Sequence, residues 1–407
     1  AQPFRSEVDG FLPLSRHRSA VLRGKIKPHR NDVRERKMTL KFHGRTPSLL
    51  QDCTSLPAFS GLTAESGLKR ARPKQHAIET SMKRFALITL LCCVFPIRTH
   101  ALALDTIRIA YSSVNPHALL VSMAEKRGLY AKYGLSSTIV YVSGGSTVIQ
   151  AMVSGDIDLG QLTGAPGVTA NLRGADIVYI AMSDDRMGYQ LVTRRDVKNA
   201  ADLKGKRIGI SRFGSSSEFG ARVLMKRAGI DPKDVSILQI GNEAERLAAL
   251  KSGNIDGSVF NAPFGSEAKK FNLNIVADAV ALGIPYFNTG ICGSARYLQK
   301  NEAKILNFLR AYIESIKIFK TEPEYTLKAL AQFTRVNDQE LLKEAYEYNK
   351  NKIPDIPYPS LTAMQAVVDP LVAGDPKLAK VDARNFINDR YLKKLEEEGF
   401  VQKLSGR

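Results

Sequence analysis

Two stretches of this chain carry nearly the same residues ninety-eight positions apart: SGDIDLG at Ser154–Gly160 and SGNIDGS at Ser252–Ser258. The match extends backward. IRIAYS at Ile107–Ser112 parallels KRIGIS at Lys206–Ser211, and EKRGL at Glu125–Leu129 parallels KRAGI at Lys226–Ile230. Each copy opens on a short β-rich run, passes a Ser/Gly/Asn loop and enters a helical segment that ends in glycine. A second β-branched run follows (STIVYV; DVSILQI), then a second helix ending in Ser-Gly, then a third strand after Ile-Asp. The pattern is βαβαβ, twice. In the repeated motif, Gly155 and Gly253 fall where a helix ends and the backbone needs the left-handed conformation. Ile157 and Ile255 lead into the sheet, and Asp158 and Asp256 are read as caps or turn residues before the next strand.

Parallel βαβ units gather loops and helix N-termini at the carboxyl ends of their strands, which is where open α/β sheets bind ligands. Two such units side by side make two lobes with a cleft between their loops. The extended runs YQLVTR and YFNTGICGS (Tyr286–Ser294) flank the second copy and read as a pair of hinge crossings, with Gly290 and Gly293 permitting backbone rotation. From there the pattern is helical to the end (EAKILNFLRAYIESIKIF, EYTLKALAQF, QELLKEAYEYN, LTAMQAVVDPL, RYLKKLEEEGF). Lobe one is therefore expected at 104–190 plus 290–407, and lobe two at 191–289.

The formal charge of +19 over 407 residues invites a nucleic-acid reading, and its distribution removes it. Residues 1–103 hold nineteen Lys and Arg against seven Asp and Glu; the rest hold forty against thirty-three, spread without a basic-aromatic cluster. The break coincides with MKR at Met82, the thirteen-residue apolar run FALITLLCCVFPI and the small-x-small triplet at Ala101–Ala103. That is the pattern of a secretory signal peptide over 82–103, too short to span a bilayer core of about 30 Å. It points to an exported, periplasmic protein. Residues 1–81 are Arg-rich without sustained periodicity and read as a disordered or spurious upstream extension.

Beyond Ala103 there remain one cysteine, Cys292, and one histidine, His117. An internal disulfide is excluded, and so is a zinc cluster; no metal and no cofactor is expected. Nor is there a Gly-x-Ser-x-Gly elbow with a histidine downstream. His117 follows Asn-Pro at a helix start, where capping or ligand contact fits better than base catalysis.

The segments ADLKGKRIGIS, RFGSSSEFGARVLMKRAGI and RLAALKSGNIDGSVFNAP, with GLYAKYGL and GGSTVIQAMVSGDIDLG upstream, resemble the substrate-binding proteins of nitrate/sulfonate/taurine-type ABC transporters. That family also contains the thiamine-pyrimidine-synthase-like proteins. The resemblance covers nearly all of 104–400. It implies an α/β, type II periplasmic-binding-protein fold that binds one small solute and hands it to an ABC permease and its ATPase in the inner membrane, with no nucleic acid and as a monomer. It places contacts at Ser112, Ser113 and Asn115, at Gly144, Gly145 and Ser146, and at Thr163 and Gly164. In lobe two it places them at Ser215, Ser216, Ser217 and Asn261, with Asn288 from the hinge strand. The enzyme branch uses a cysteine-rich motif that is missing after Ala103, so catalysis is not expected.

Physically, the three serines at 215–217 exceed what one N-cap needs, the start of such a helix is a natural anion seat, and the GGST loop at Gly144–Thr147 offers a similar one in the first lobe. An oxyanion between them is the favoured ligand, with Arg186 or Arg212 as a bidentate partner. Asp184 and Asp185 argue the other way, toward a cation or amine. Tyr111, Tyr189, Phe213, Tyr286 and Phe287 could stack on a planar solute, though core packing explains most of them equally well.

Overall fold

The computed structural model describes residues 104–261, 270–373 and 376–406. The readings of 1–81 and of the leader at 82–103 lie outside the described residues, as does Pro263. The first copy of the repeat folds as β1 (Asp105–Tyr111), α1 (Leu119–Lys126), α2 (Leu129–Lys132), β2 (Leu135–Tyr141), α3 (Gly145–Val153), β3 (Leu159–Leu162), α4 (Gly164–Asn171) and β4 (Ile177–Arg186). After β5 (Gln190–Thr193), the second runs through β6 (Arg207–Ile210), α5 (Ser216–Arg227), β7 (Ser236–Gln239), α6 (Glu243–Lys251) and β8 (Gly257–Phe260), and is followed by β9 (Asn274–Asp278). The chain then returns as β10 (Pro285–Ser294).

These strands form two five-stranded sheets of matching plan, β2-β1-β3-β10-β4 and β7-β6-β8-β5-β9. In each, the three repeat strands are parallel, and the fourth place is taken by an antiparallel strand at the chain's passage between sheets. Tyr286–Ser294, read from sequence as a crossing, is instead a strand of the first sheet. It pairs with β4 from Pro285↔Arg186 to Ser294↔Ile177 and with β3 through Gly290–Cys292. The passages between sheets are the short segments 187–189 and 279–284, so Tyr286–Thr289 sit with the first sheet rather than in lobe two. Gly290 is required for space, not rotation: a Cβ there would lie 2.6 Å from the Ala181 carbonyl oxygen and 2.3 Å from the Phe287 ring.

The repeated aspartates do more than turn the chain. Arg108 donates its backbone N–H to Asp158 at 2.8 Å and its guanidinium to the same carboxylate at 2.7 and 3.1 Å, while Asp158 N–H returns a bond to the Arg108 carbonyl at 2.9 Å. Arg207 and Asp256 repeat the arrangement, with the carboxylate accepting at 2.9, 3.0 and 3.0 Å. Each latch ties the first strand of its unit to the turn before the third. Gly155 and Gly253 precede the latches with φ of +84° and +78°, as the motif requires. The Arg207 guanidinium, hydrogen-bonded to the Asp256 carboxylate, holds that carboxyl below its ordinary range. A depressed acid contributes stability above its unfolded value, about pH 4, and loses it as pH falls through the folded value. Asp256→Asn is expected to lower stability by about 1–2 kcal/mol at neutral pH. In urea titrations the gap to the parent should narrow below about pH 4; a pH-independent gap would contradict the latch.

The helical tail comprises α7 (Ala295–Lys300), α8 (Glu302–Thr321), α9 (Pro323–Thr334), α10 (Gln339–Lys350), α11 (Leu361–Val372), α12 (Arg390–Glu397) and α13 (Phe400–Ser405). It packs on the first sheet: α8 buries Phe308, Tyr312 and Ile316 in one core with Ile107 and Ile109 of β1 and Leu120 of α1. A second core runs from Val148 and Leu162 through Met187 and Tyr189 of the passage to Phe219 and Leu224 of α5, so the two sheets share buried apolar surface. None of the described helices is long and apolar enough to cross a membrane.

Candidate functional site: the seam between the two sheets

The carboxyl ends of the parallel strands face one another across a seam. A Cβ on Gly144 would lie 3.5 Å from Ser211 Oγ and 3.5 Å from Arg212 Cγ; one on Gly214 would lie 3.7 Å from Ser146 Cβ. The GGS loop of the first unit and the loop after β6 of the second are thus in contact. Gly145 admits no side chain, since Pro166 Cγ would stand 2.7 Å from its Cβ.

On the first side, α3 and α4 both start without a side-chain cap, at Gly144 and Thr163. Their first-turn N–H groups carry the partial positive charge of the helix dipole. Thr163 is buried and its hydroxyl makes no hydrogen bond. Gly164 is packed against Phe287, with Cβ at 2.9 Å from a Cβ built on the glycine. Ser112 and Ser113 are half-buried after β1. Asn115 is spent on structure: Oδ1 accepts from Ala118 N at 2.8 Å and Nδ2 donates to Ser113 Oγ at 3.1 Å.

On the second side, Ser215 caps α5 by accepting from Glu218 N, and Ser217 accepts from Ser211 N at 2.8 Å. The hydroxyls of Ser211, Ser215 and Ser217 close a triangle of 2.9–3.0 Å contacts. Glu218 lies over the same helix start, accepting from Gly214 N at 2.6 Å and pairing with Arg222. Two of the three serines singled out from sequence therefore bond to the protein, beside a carboxylate that repels an anion. Ser216 is half-buried beside the Tyr189 hydroxyl. Arg186 also faces elsewhere. It is exposed, donates to the Gly283 carbonyl at 2.9 Å and stands 3.5 Å from Asp185, bracing the passage between sheets. Of the aromatics, Tyr286 and Phe287 are core: Tyr286 stacks on Phe219 with centroids 5.2 Å apart, and Phe287 packs edge-on to Tyr179 at 4.8 Å. Tyr189 is buried, Tyr111 packs between Tyr141 and Phe333, and Phe213 is 51% exposed.

Asn288, Asn261, His117 and Asp184, singled out one by one in the sequence, are joined in a buried polar network. Asn288 Nδ2 donates to Asp184 Oδ2, and His117 Nε2 stands 3.5 Å from the same oxygen. Asn261 donates to Glu243 Oε1 at 3.3 Å. A Cβ on Gly188, in the passage between sheets, would touch both amides, 2.9 Å from Asn261 Oδ1 and 3.5 Å from Asn288 Nδ2. Burial pushes the Glu243 carboxyl above its ordinary range, against the opposing pull of Arg246 and Asn261. His117 Nδ1, Gln161 Oε1, Asn261 Oδ1 and Glu243 Oε2 are buried without hydrogen-bond partners. Such groups are costly to bury unless something pairs with them. Asp184 was read, with Asp185, as an acid favouring a cation or amine, whereas Gln161 and Glu243 look in sequence like any strand-end and helix-start polar residue.

Two sheets of this strand order, joined by two short passages and facing each other through strand-end loops, define the two-lobed periplasmic-binding-protein class. The alkanesulfonate-binding protein of Xanthomonas axonopodis pv. citri, solved with bound MOPS, has the same fold: TM-score 0.59 at 20% identity, covering 70% of this chain and 98% of that one. The chain belongs to the NMT1/THI5 like family, which matches residues 115–326. Among characterised relatives, the 4-amino-5-hydroxymethyl-2-methylpyrimidine phosphate synthase of Schizosaccharomyces pombe is 24% identical over 268 residues, 60% of this chain and 74% of the relative. The taurine-binding periplasmic protein of Escherichia coli is 25% identical over 188 residues, 45% of this chain and 58% of the relative.

Proposed function

We infer that this chain is the extracytoplasmic solute-binding component of an ABC importer. It takes one small solute at the seam and presents the closed form to a permease and its ATPase. The observation that carries the reading is the convergence, on one seam between two sheets, of uncapped helix starts and buried polar groups without partners. The binding proteins among its relatives support it, as does the export signal read over 82–103. Uncapped N–H groups at Gly145, Ser146 and Gly164 suit an acid group on the solute. A solute stabilises the closed form only through tighter binding to it than to the open one.

A synthase-like reading finds less support. Cys292, the only cysteine among the described residues, is fully buried in β10 and its thiol is pushed up by burial, so it is poorly placed as a nucleophile. The test is calorimetry of the purified protein against nitrate, alkane- and arylsulfonates, taurine, aromatic carboxylates and aminopyrimidines, with chromatography of each mixture for products. One-to-one binding with the solute recovered unchanged is expected. Turnover of any of them would contradict the reading.

A further inference from the structure

Four of the atoms without partners at the seam are acceptors, beside the Thr163 hydroxyl, which can donate or accept. Gln161 donates its Nε2 to the His117 carbonyl at 3.0 Å, which leaves Oε1 as an acceptor with nothing to accept. Asn261 donates its Nδ2 to Glu243, which leaves its Oδ1 in the same state. Both amide orientations are set by the acceptors they face. Glu243 Oε2 is a third bare acceptor. With its Nε2–H toward Asp184, His117 leaves Nδ1 as a fourth.

Asp184 joins this group through His117 and Asn288. Its side chain is 15% exposed, and among the described residues no Lys or Arg side chain pairs with it. The neighbouring cation, Arg186, is turned to Asp185 and the Gly283 carbonyl. What Asp184 does receive is Asn288 Nδ2, the Arg186 backbone N–H at 3.1 Å and His117 at 3.5 Å. A largely buried carboxylate without a permanent cation is costly unless a ligand supplies one.

We propose that the solute carries a protonated primary or secondary amine, with Asp184 as the residue that receives it. The amine N–H groups meet the carboxylate and the neighbouring amide oxygens, while any acid group lies at the other end, toward the starts of α3 and α4. This deepens the solute-binding reading and rests on it. It also selects within the class, because a simple oxyanion leaves the acceptors bare whereas an amino compound fills them.

The experiment is calorimetry on matched series: ethanesulfonate, 2-aminoethanesulfonate and its N-trimethyl form; propionate, 3-aminopropionate and its N-trimethyl form; butane-1,4-diol, 1,4-diaminobutane and its bis-trimethyl form. In at least one series the amine should bind about tenfold or more tighter than the nitrogen-free member, the scale of a charge-assisted hydrogen bond. It should also beat the trimethylated member, which keeps the charge and loses the donors. Asp184→Asn, checked for an unchanged melting curve, should erase the preference; should it fail to fold, the wild-type series still decide. Equal or tighter binding of the nitrogen-free or trimethylated members overturns the amine and leaves the transport reading standing. No binding by any member sinks both.

Discussion

Oxidation of a Ser146→Cys, Gly214→Cys double variant, with Cys53, Cys92 and Cys93 replaced by serine, will lock the two lobes together. Ser146 Cβ lies 3.7 Å from a Cβ on Gly214, within the range a disulfide spans. Cys292 is buried and will not compete. Gly214 has φ +75°, so a cysteine there carries a backbone cost of about 1 kcal/mol, which the crosslink exceeds. If exchange of solute requires the seam to open, release from the oxidised protein should slow by ~100-fold or more, and loading of empty oxidised protein should be lost. Dithiothreitol should restore both. Unchanged exchange in the crosslinked protein would mean that solute enters by another route.

The second large effect lies in the first sheet. Gly290→Ala places a methyl group 2.6 Å from a backbone oxygen of β4, which cannot swing aside, and 2.3 Å from the buried Phe287 ring. Overpacking of this kind is expected to cost about 3 kcal/mol, seen as a lower urea midpoint without a change of slope. Gly155→Ala is the control: nothing lies within 4 Å of its Cβ, so only the strain of φ +84° remains, about 1 kcal/mol. Equal losses in the two variants would contradict the packing described for β10.

The repeat made the three parallel strands of each sheet legible, because βαβ order and the glycine before Ile-Asp are local signals. The antiparallel fourth strands were not. β5 and β10 take their places through partners far away in the chain, as distant as Cys292↔Gly160, and Tyr286–Ser294 looks the same in sequence whether it crosses between lobes or sits inside a sheet. The latches show the same limit. Asp158 and Asp256 were visible, but Arg108 and Arg207 lie some fifty positions earlier, and nothing in the interval marks the pairing. At the site, the strand-end rule pointed to Gly144–Ser146 and Thr163, which lie at the starts of α3 and α4. Partners were not legible, since sequence shows how many hydroxyls Ser215–Ser217 offer and not that Ser211 and Glu218 engage them. The same holds for Arg186, whose partner is a carbonyl nearly a hundred residues on, at Gly283.

The central claim is that one small molecule is held by groups from both sheets at once. Hydrogen exchange with and without the tightest-binding amine of the matched series tests it most directly. Slower exchange is expected together in 112–117, 144–147 and 163–165 of the first unit and in 211–217 of the second. Protection confined to one unit, or lying at the helical tail instead, would contradict it.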